Sequence, residues 1–559
     1  MNVKAVPIEE GTAKRFWIKF RNEALFAMYT PFVVCLASGK LELETFRNYI
    51  AQDVHFLRAF AQAYQLAEDC ADDDDDKAAI SKLRKNVMEA LKMHKSFVQE
   101  WGFDPAPETS ATSATLKYTD FLLATASGKV EAVKGHGTIA TPFEKTKVAA
   151  YTLSAMTPCM RLYAFLSKEL RALLDPDEGS HLYKKWIDTY SSQTFEASAR
   201  ETEELLDKLS VSLTSEELEV MEKLYRKAIK LEIEFLTAQP IIQRTIVPLI
   251  RVLDPADYRL ILFSDFDLTC TLVDSSAILA EIAILTAPKA DQSGTENPLP
   301  RMSSTDMRNT WSVLSTQYTE EYEQCIESIM PTKKVQEFNY EGLSKALEQL
   351  SDFEKRANAR VIESGVLKGL NLEDIKKAGG RFILQDGCSG FFQTIVKNEG
   401  LGADVHILSY CWCDDLIRSA FSSGGLNVLN IHANQLAYEE SISTGEIIKK
   451  VESPLDKVKV FKETLKNHGN DSKQLSVYIG DAVGDLLCLL EADVGILVGS
   501  SHSLRILGSE FGVSFVPLFS GLVKKQKEFN DSSCNWKGLS GILYTVSSWA
   551  EIHAFILGH

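Results

Sequence analysis

The chain contains no stretch of about 18 uncharged apolar residues, so nothing in it reads as a membrane span. Its ten cysteines form no paired framework, which excludes a disulfide-stapled secreted protein and points to a reduced compartment, the cytoplasm. The opening residues carry early acids and no long apolar region, so they read neither as a signal peptide nor as a transit peptide. A mitochondrial address would therefore need a longer precursor. An excess of positive charge is also missing. Lys and Arg number 60 against 77 Asp and Glu, and the net charge of −17 excludes nucleic acid and anionic membrane as expected partners. A phosphorylated small molecule stays open, because local cations and a metal can outweigh global charge. What remains is an ordinary globular composition in 559 residues, too long for a single core.

The first 235 or so residues carry no convincing strand pattern. Segments 13–28, 42–68, 77–100 and 215–237 place apolar residues three and four apart, the signature of amphipathic helices. Turn signals at 104–107 (DPAP), 134–137 (KGHG) and 175–177 (DPD) separate them. Five consecutive aspartates at 72–76 repel one another and read as a solvated loop.

Three prolines between 240 and 255 break this pattern and mark a linker, 239–258. Beyond it, short apolar runs at 260–264, 405–409, 475–479 and 494–498 alternate with helical stretches, which predicts a parallel α/β sheet. Between the first two runs lie about 130 mostly helical residues, with a Gly/Pro/Ser-rich loop at 288–304. The expected architecture is multidomain. An all-α region, 1–238, is followed by an α/β domain, 259–559, with a helical cap at about 275–400 placed to act as a lid.

Residues 260–271, LILFSDFDLTCT, carry the densest chemistry. A buried strand would end in Asp265 and Asp267, with Thr269 two further on and facing the same way. Carboxylates so close repel, and a hard cation is one reason for them to sit together. A turn closed by aspartates is the other. With a cation, one carboxylate can attack a phosphoryl group and the other can move the proton. Three further elements favour that chemistry. The second run ends in Ser409, a hydroxyl at a strand tip. Lys457 opens a later helix and is preferred to Lys459. Residues 477–485, VYIGDAVGD, repeat the design with Gly480, Asp481 and Asp485. Cys411 and Cys413, the CWC after Ser409, read as packing residues. In this order the four elements resemble the motifs of the haloacid dehalogenase superfamily, and the insertion resembles its helical caps. The resemblance implies Asp265 as nucleophile and Asp267 as general acid and base. It further implies Ser409 and Lys457 on the phosphoryl oxygens, and Mg²⁺ held by Asp265, Asp267 (through its carbonyl), Asp481 and Asp485.

In the helical part, Cys159 follows Pro158, so a helix start that favours thiolate is expected there; a small core residue is the other reading. Tyr163 is one turn on. Asp53 follows Tyr49 by four residues, Tyr118 opens YTDFLL, Tyr190 lies in WIDTYSS, and Glu232 lies in KLEIEF. Together these resemble the cysteine-bearing branch of the TenA family, all-helical proteins of haem-oxygenase type that cleave aminopyrimidines of the thiamin pathway. The resemblance implies Cys159 as nucleophile and Asp53 as the group that holds the pyrimidine. Glu232 would be the proton donor to the leaving amine, with Tyr163, Tyr118 and Tyr190 lining the pocket and Tyr49 a less secure member. It also implies a homo-oligomer through this domain. Met160, Arg161 and Leu236 depart from the usual pattern and bear on substrate range.

The two resemblances in this order match a plant family of bifunctional thiamin-pathway proteins. They imply hydrolysis of thiamin monophosphate to thiamin by one half and of an aminomethyl aminopyrimidine to hydroxymethylpyrimidine by the other. The alternative is a nucleotidase or broad small-metabolite phosphatase joined to a non-catalytic helical binding or oligomerisation module.

Overall fold

A computed structural model describes residues 10–100, 110–130, 142–175, 181–253, 258–288, 301–333, 335–426, 429–467, 473–529 and 536–559. The turn signals at 104–107 and 134–137 lie outside these residues, as do most of the 175–177 turn, part of the linker and most of the 288–304 loop. The chain divides into two compact units, Met1–Pro248 with Leu522–Phe529 and Gly558–His559, and Leu249–Gly521 with Asn530–Leu557. Among the described residues, no helix is long and apolar enough to cross a membrane.

The first unit contains α1 (Thr12–Lys19), α2 (Arg21–Met28), α3 (Pro31–Ala37), α4 (Leu43–Cys70), α5 (Asp74–Glu100), α6 (Ser113–Ala126), α7 (Pro142–Ala172), α8 (Lys184–Tyr190), α9 (Gln193–Ser210) and α10 (Ser215–Thr237). Its long helices pack α4 on α5, α6 and α7, and α7 on α9 and α10. A capping box, with the Thr214 hydroxyl and the Glu217 carboxylate exchanging bonds with each other's backbone, starts α10 and fixes its phase. Two local expectations are corrected. The aspartate run is not all loop: Asp74, Asp75 and Asp76 form the first turn of α5, where the helix dipole favours acids, and Lys208 pairs with Asp73 and Asp76. Pro158 does not start a helix but lies inside α7, so Cys159 sits mid-helix. One missing N–H is tolerated in a 31-residue helix packed on both flanks.

In the second unit α11 (Leu249–Val252) precedes a seven-stranded sheet in the order β4-β3-β1-β7-β8-β10-β9, with every pairing parallel. Its members are β1 (Tyr258–Ser264), β3 (Ala403–Leu408), β4 (Asn430–His432), β7 (Lys473–Gly480), β8 (Val494–Val498), β9 (Ser514–Pro517) and β10 (Ile542–Val546). The apolar runs at 260–264 and 494–498 are buried because helices cover both faces of a parallel sheet. Ser264 pairs with Ile407 of β3 and Ile479 of β7, so the chain leaves all three strands at one level.

The segment between β1 and β3 holds α12 (Ser275–Thr286), α13 (Ser304–Ser328), α14 (Tyr340–Ser364), β2 (Lys368–Asn371), α15 (Leu372–Gly379) and α16 (Cys388–Lys397). The last of these packs on β3, as a sheet-covering helix does. A second, antiparallel sheet, β2-β6-β5, joins β2 to β5 (Gln435–Glu439) and β6 (Ile442–Ile448). Ile326, Ile329, Leu343, Leu347 and Leu350 share one buried cluster with Phe461, Leu486 and Leu504, so the insertion is anchored through apolar area.

Candidate active sites

β1 ends at Ser264, and the backbone N–H of Asp265 still donates to Ile479 O at 2.9 Å, so the loop continues the strand's pairing for one residue. Asp265, Asp481 and Asp485 each bring a carboxylate oxygen to within 4.8 Å of the others. Gly480 makes this possible: a Cβ there would lie 2.6 Å from Asp485 Cγ. Lys457, at the first turn of α17 (Pro454–Asn467), is the matching cation, and its Nζ is 3.0 Å from Asp265 Oδ1 and 2.7 Å from Asp485 Oδ1. Lys459 is exposed, as its position two residues along a helix dictates.

Asp485 is the most heavily tied of these acids. It accepts from Tyr478 Oη at 2.7 Å and from the N–H groups of Asp481 and Ala482 at 3.2 and 3.1 Å. The Thr269 hydroxyl donates to Asp481 Oδ1 at 2.7 Å, and the Thr269 carbonyl accepts from Trp549 Nε1 at 2.9 Å. Burial and the neighbouring Asp485 push Asp265 well above the usual carboxylate range, while Lys457 opposes them. Burial and Asp485 lift Asp481 to about 6. Burial works against the charge on Lys457, yet Asp265 and Asp485 hold its pKa above that of an ordinary lysine. Three hard oxygen donors with one buried cation between them leave negative charge uncompensated, which is the donor set a divalent metal requires.

Asp267 stands apart from the three. Its carboxylate accepts from the Ser275 N–H at 2.7 Å and the Ser275 hydroxyl at 2.9 Å, and burial followed by Asp274 lifts it to about 7. A carboxyl so placed can give and take a proton near neutral pH. Ser409 is fully buried, and its hydroxyl accepts from the Cys411 N–H at 3.1 Å. Cys411 and Cys413 are buried thiols in this turn. Sequence reasoning missed Ser275, Tyr478 and Tyr410, whose ring lies 4.4 Å below Lys457 Nζ. Asp274, the N-cap of α12, is the local signal that points to the first of them.

In the helical unit, α4, α6, α7 and α10 bring Asp53, Tyr118, Cys159, Tyr163 and Glu232 into one buried set. Tyr118 Oη donates to Glu232 Oε1 at 2.7 Å, and the Cys159 thiol also donates to Glu232. Tyr49 and Tyr163 share a hydroxyl contact at 3.3 Å, and Tyr190 packs on Tyr163 with ring centroids 5.2 Å apart. Burial, then Glu232, pushes the Cys159 thiol up, so the dipole-stabilised thiolate expected at a helix start is not what this mid-helix position gives. Burial lifts Glu232 to about 7, the range in which it can take the thiol's proton. Asp53 is lifted to about 8 by burial and by Glu232. Its carboxyl lies 3.2 Å from Nε2 of His94, a residue of α5 that the sequence did not single out, and burial lowers that imidazole to about 4. Burial works against the charged form of both groups. Arg161 is engaged by Glu196 and Glu203, and Leu236 is buried.

A family model described as TENA/THI-4/PQQC family matches residues 18–132 and 143–240. The bifunctional TH2 protein, mitochondrial, of Arabidopsis thaliana is 66% identical over 555 residues, which span 98% of this chain and 90% of that one. An aminopyrimidine aminohydrolase of Helicobacter pylori is 28% identical over 199 residues, 35% of this chain and 82% of its own. Among solved structures, a phospho-aspartyl intermediate analogue of phosphoserine phosphatase is 19% identical, covers 46% of this chain and 92% of its own, and has a TM-score of 0.27.

Proposed function

Because the chain belongs to the family of the bifunctional TH2 protein, we propose that each of its units is a hydrolase of the thiamin pathway. The second unit releases phosphate from thiamin monophosphate. The first converts an aminomethyl aminopyrimidine to hydroxymethylpyrimidine. The observation that carries the first of these activities is Lys457 held between Asp265 and Asp485, beside a third carboxylate on Asp481.

In the phosphatase, Asp265 attacks phosphorus, and the ester oxygen leaves with the proton of Asp267. Asp267 then takes a proton from water, which attacks the aspartyl-phosphate and frees Asp265. Ser409 and Lys457 hold the phosphoryl oxygens, and Ser275 keeps Asp267 in place. Asp265, Asp481, Asp485 and the Asp267 carbonyl would hold Mg²⁺, which would supply charge neutralisation at those oxygens.

In the helical unit Glu232 takes the thiol proton of Cys159, whose sulfur adds to the pyrimidine ring, and gives that proton to the departing amine. Water then adds at the exocyclic carbon, losing a proton to Glu232, and the sulfur leaves the ring and recovers its proton from Glu232. Asp53 pairs with a ring nitrogen and amine. The reading includes assembly of copies through the helical unit, and the mitochondrial address printed for the Arabidopsis relative.

Asp265→Asn is expected to abolish phosphate release and leave aminopyrimidine hydrolysis intact, and Cys159→Ala to do the reverse. Loss of both activities in either variant overturns the division of labour. A panel of phosphate esters with no preference for thiamin monophosphate overturns the substrate.

A further inference from the structure

The cap carries an acid that the phosphatase chemistry does not use. Glu354 of α14 is half-buried, and its Oε1 accepts from Tyr318 Oη of α13 at 2.9 Å. Three cationic side chains of the same helix face other groups: Arg360 pairs with Glu321, Lys355 with Asp456, and Arg356 acts on Glu321 and Cys325. Burial pushes Glu354 up to about 7.

Aromatic rings, each partly exposed, lie along α13 and in the turn after β3. Tyr318 stacks on Tyr322 at 5.9 Å and 17°, and Tyr318 is still 38% exposed. Trp311 of the same helix stacks on Trp412 at 6.2 Å and 28°. Trp412 follows Ser409 by three residues, and its Nε1 donates at 2.9 Å to Asn358, one turn after Glu354 on α14. Tyr410 joins this group to the reacting end. Its ring lies under Lys457, and it senses the charges of both Asp265 and Glu354. Tyr322 likewise senses both Glu354 and Asp481.

A half-buried acid raises the energy of the free protein unless a cation arrives with the ligand. Flat rings with open faces select a flat, cationic guest.

We infer that Glu354, with the rings of Trp311, Tyr318, Tyr322, Tyr410 and Trp412, recognises the leaving-group half of the ester as a positively charged heteroaromatic alcohol. This assignment rests on the phosphatase reading above and names what the cap selects. Asn358 is a positioning residue that fixes Trp412.

The test compares kcat and KM for thiamin monophosphate and for p-nitrophenyl phosphate, whose aryl group is uncharged, in wild type, Glu354→Gln, Glu354→Asp and Trp412→Leu. Glu354→Gln is expected to lower kcat/KM for thiamin monophosphate by ~10- to 30-fold, mostly through KM. The aryl ester should lose less than ~3-fold, its leaving group having no positive charge for Glu354 to meet. Glu354→Asp should restore part of the preference, and Trp412→Leu should lower it. Equal losses on both esters, or no loss on either, overturn the cleft assignment while the phosphatase reading stands. Wild-type protein that releases phosphate from neither ester overturns the phosphatase reading itself.

Discussion

Gly480→Ala tests whether the phosphatase site depends on close approach of backbone to side chain. A Cβ at this position lies 2.6 Å from Asp485 Cγ, and ordinary contact begins at 3.4 Å, so Asp485 must retreat by about 0.8 Å. Asp485 cannot retreat freely, because Tyr478 Oη, two backbone N–H groups and Lys457 Nζ all hold it. The bond to Lys457, 2.7 Å long, is the one that gives, and Lys457 then follows Asp265 alone. A misplacement near 1 Å at a phosphoryl-transfer centre costs about 100-fold in rate, or ~2.7 kcal/mol of barrier. The assay is phosphate release from thiamin monophosphate at saturating Mg²⁺, with aminopyrimidine hydrolysis by the same sample as the internal control. We expect kcat to fall about 100-fold while the control stays within about twofold. A kcat within about threefold of wild type, at unchanged circular dichroism, would falsify the reasoning.

Three other perturbations discriminate among the remaining assignments. Lys457→Met is expected to lose phosphate release by more than ~1,000-fold and to destabilise the second unit by ~3–5 kcal/mol, since two buried acids lose their cation; exposed Lys459→Met should change the rate by less than about twofold. Steady-state kinetics and chemical denaturation measure both effects, and equal behaviour of the two variants would show that the wrong lysine was chosen. Dialysis against EDTA should abolish phosphate release, with recovery on adding Mg²⁺, and leave aminopyrimidine hydrolysis untouched; full phosphatase activity in EDTA removes the metal from the scheme. The aminohydrolase kcat/KM should rise with pH through about 7, because Glu232 must be ionised to accept the thiol proton. Stability runs the other way: burial raises the folded-state value above the unfolded one, so the contribution is complete below about pH 4.3 and is lost as pH rises through about 7. Asp53 adds the same sign up to about 8, so Glu232→Gln should flatten the slope of stability against pH only in part. A rate independent of pH between 5.5 and 8.5 would exclude Glu232 as the base.

Local signals in the chain were enough for β1, β7 and β8, because strands of a covered parallel sheet are apolar on both faces and read as unbroken runs. β9, β10 and the β2-β6-β5 sheet left no comparable mark: β2 and β9 have only four residues each, and β5, β6 and β10 are partly exposed and mix polar with apolar residues. The acids of the phosphatase site were legible because each follows a strand or opens a turn. Tyr478 was not, since its hydroxyl reaches Asp485 from inside a strand that reads as plain core. Pro158 misled for a physical reason. Proline argues locally for a helix start, whereas packing of α7 against α9 and α10 carries the helix through it. His94 could not be told from any other polar residue of an amphipathic helix until α5 was laid against α4.

The pairing of β2 with β6 bears on how such an enzyme changes its diet. Residues Lys368–Asn371 come from the stretch between Asp265 and Ser409, while Ile442–Ile448 come from the stretch between Ser409 and Lys457. The β2-β6-β5 sheet is therefore built from two separate passages of chain that must travel together. Recombination that exchanged 275–379 alone would leave β2 facing a strand chosen for another partner. Point substitution on the open aromatic faces is the smoother route, since it leaves that seam closed and the aspartates beneath it unaltered.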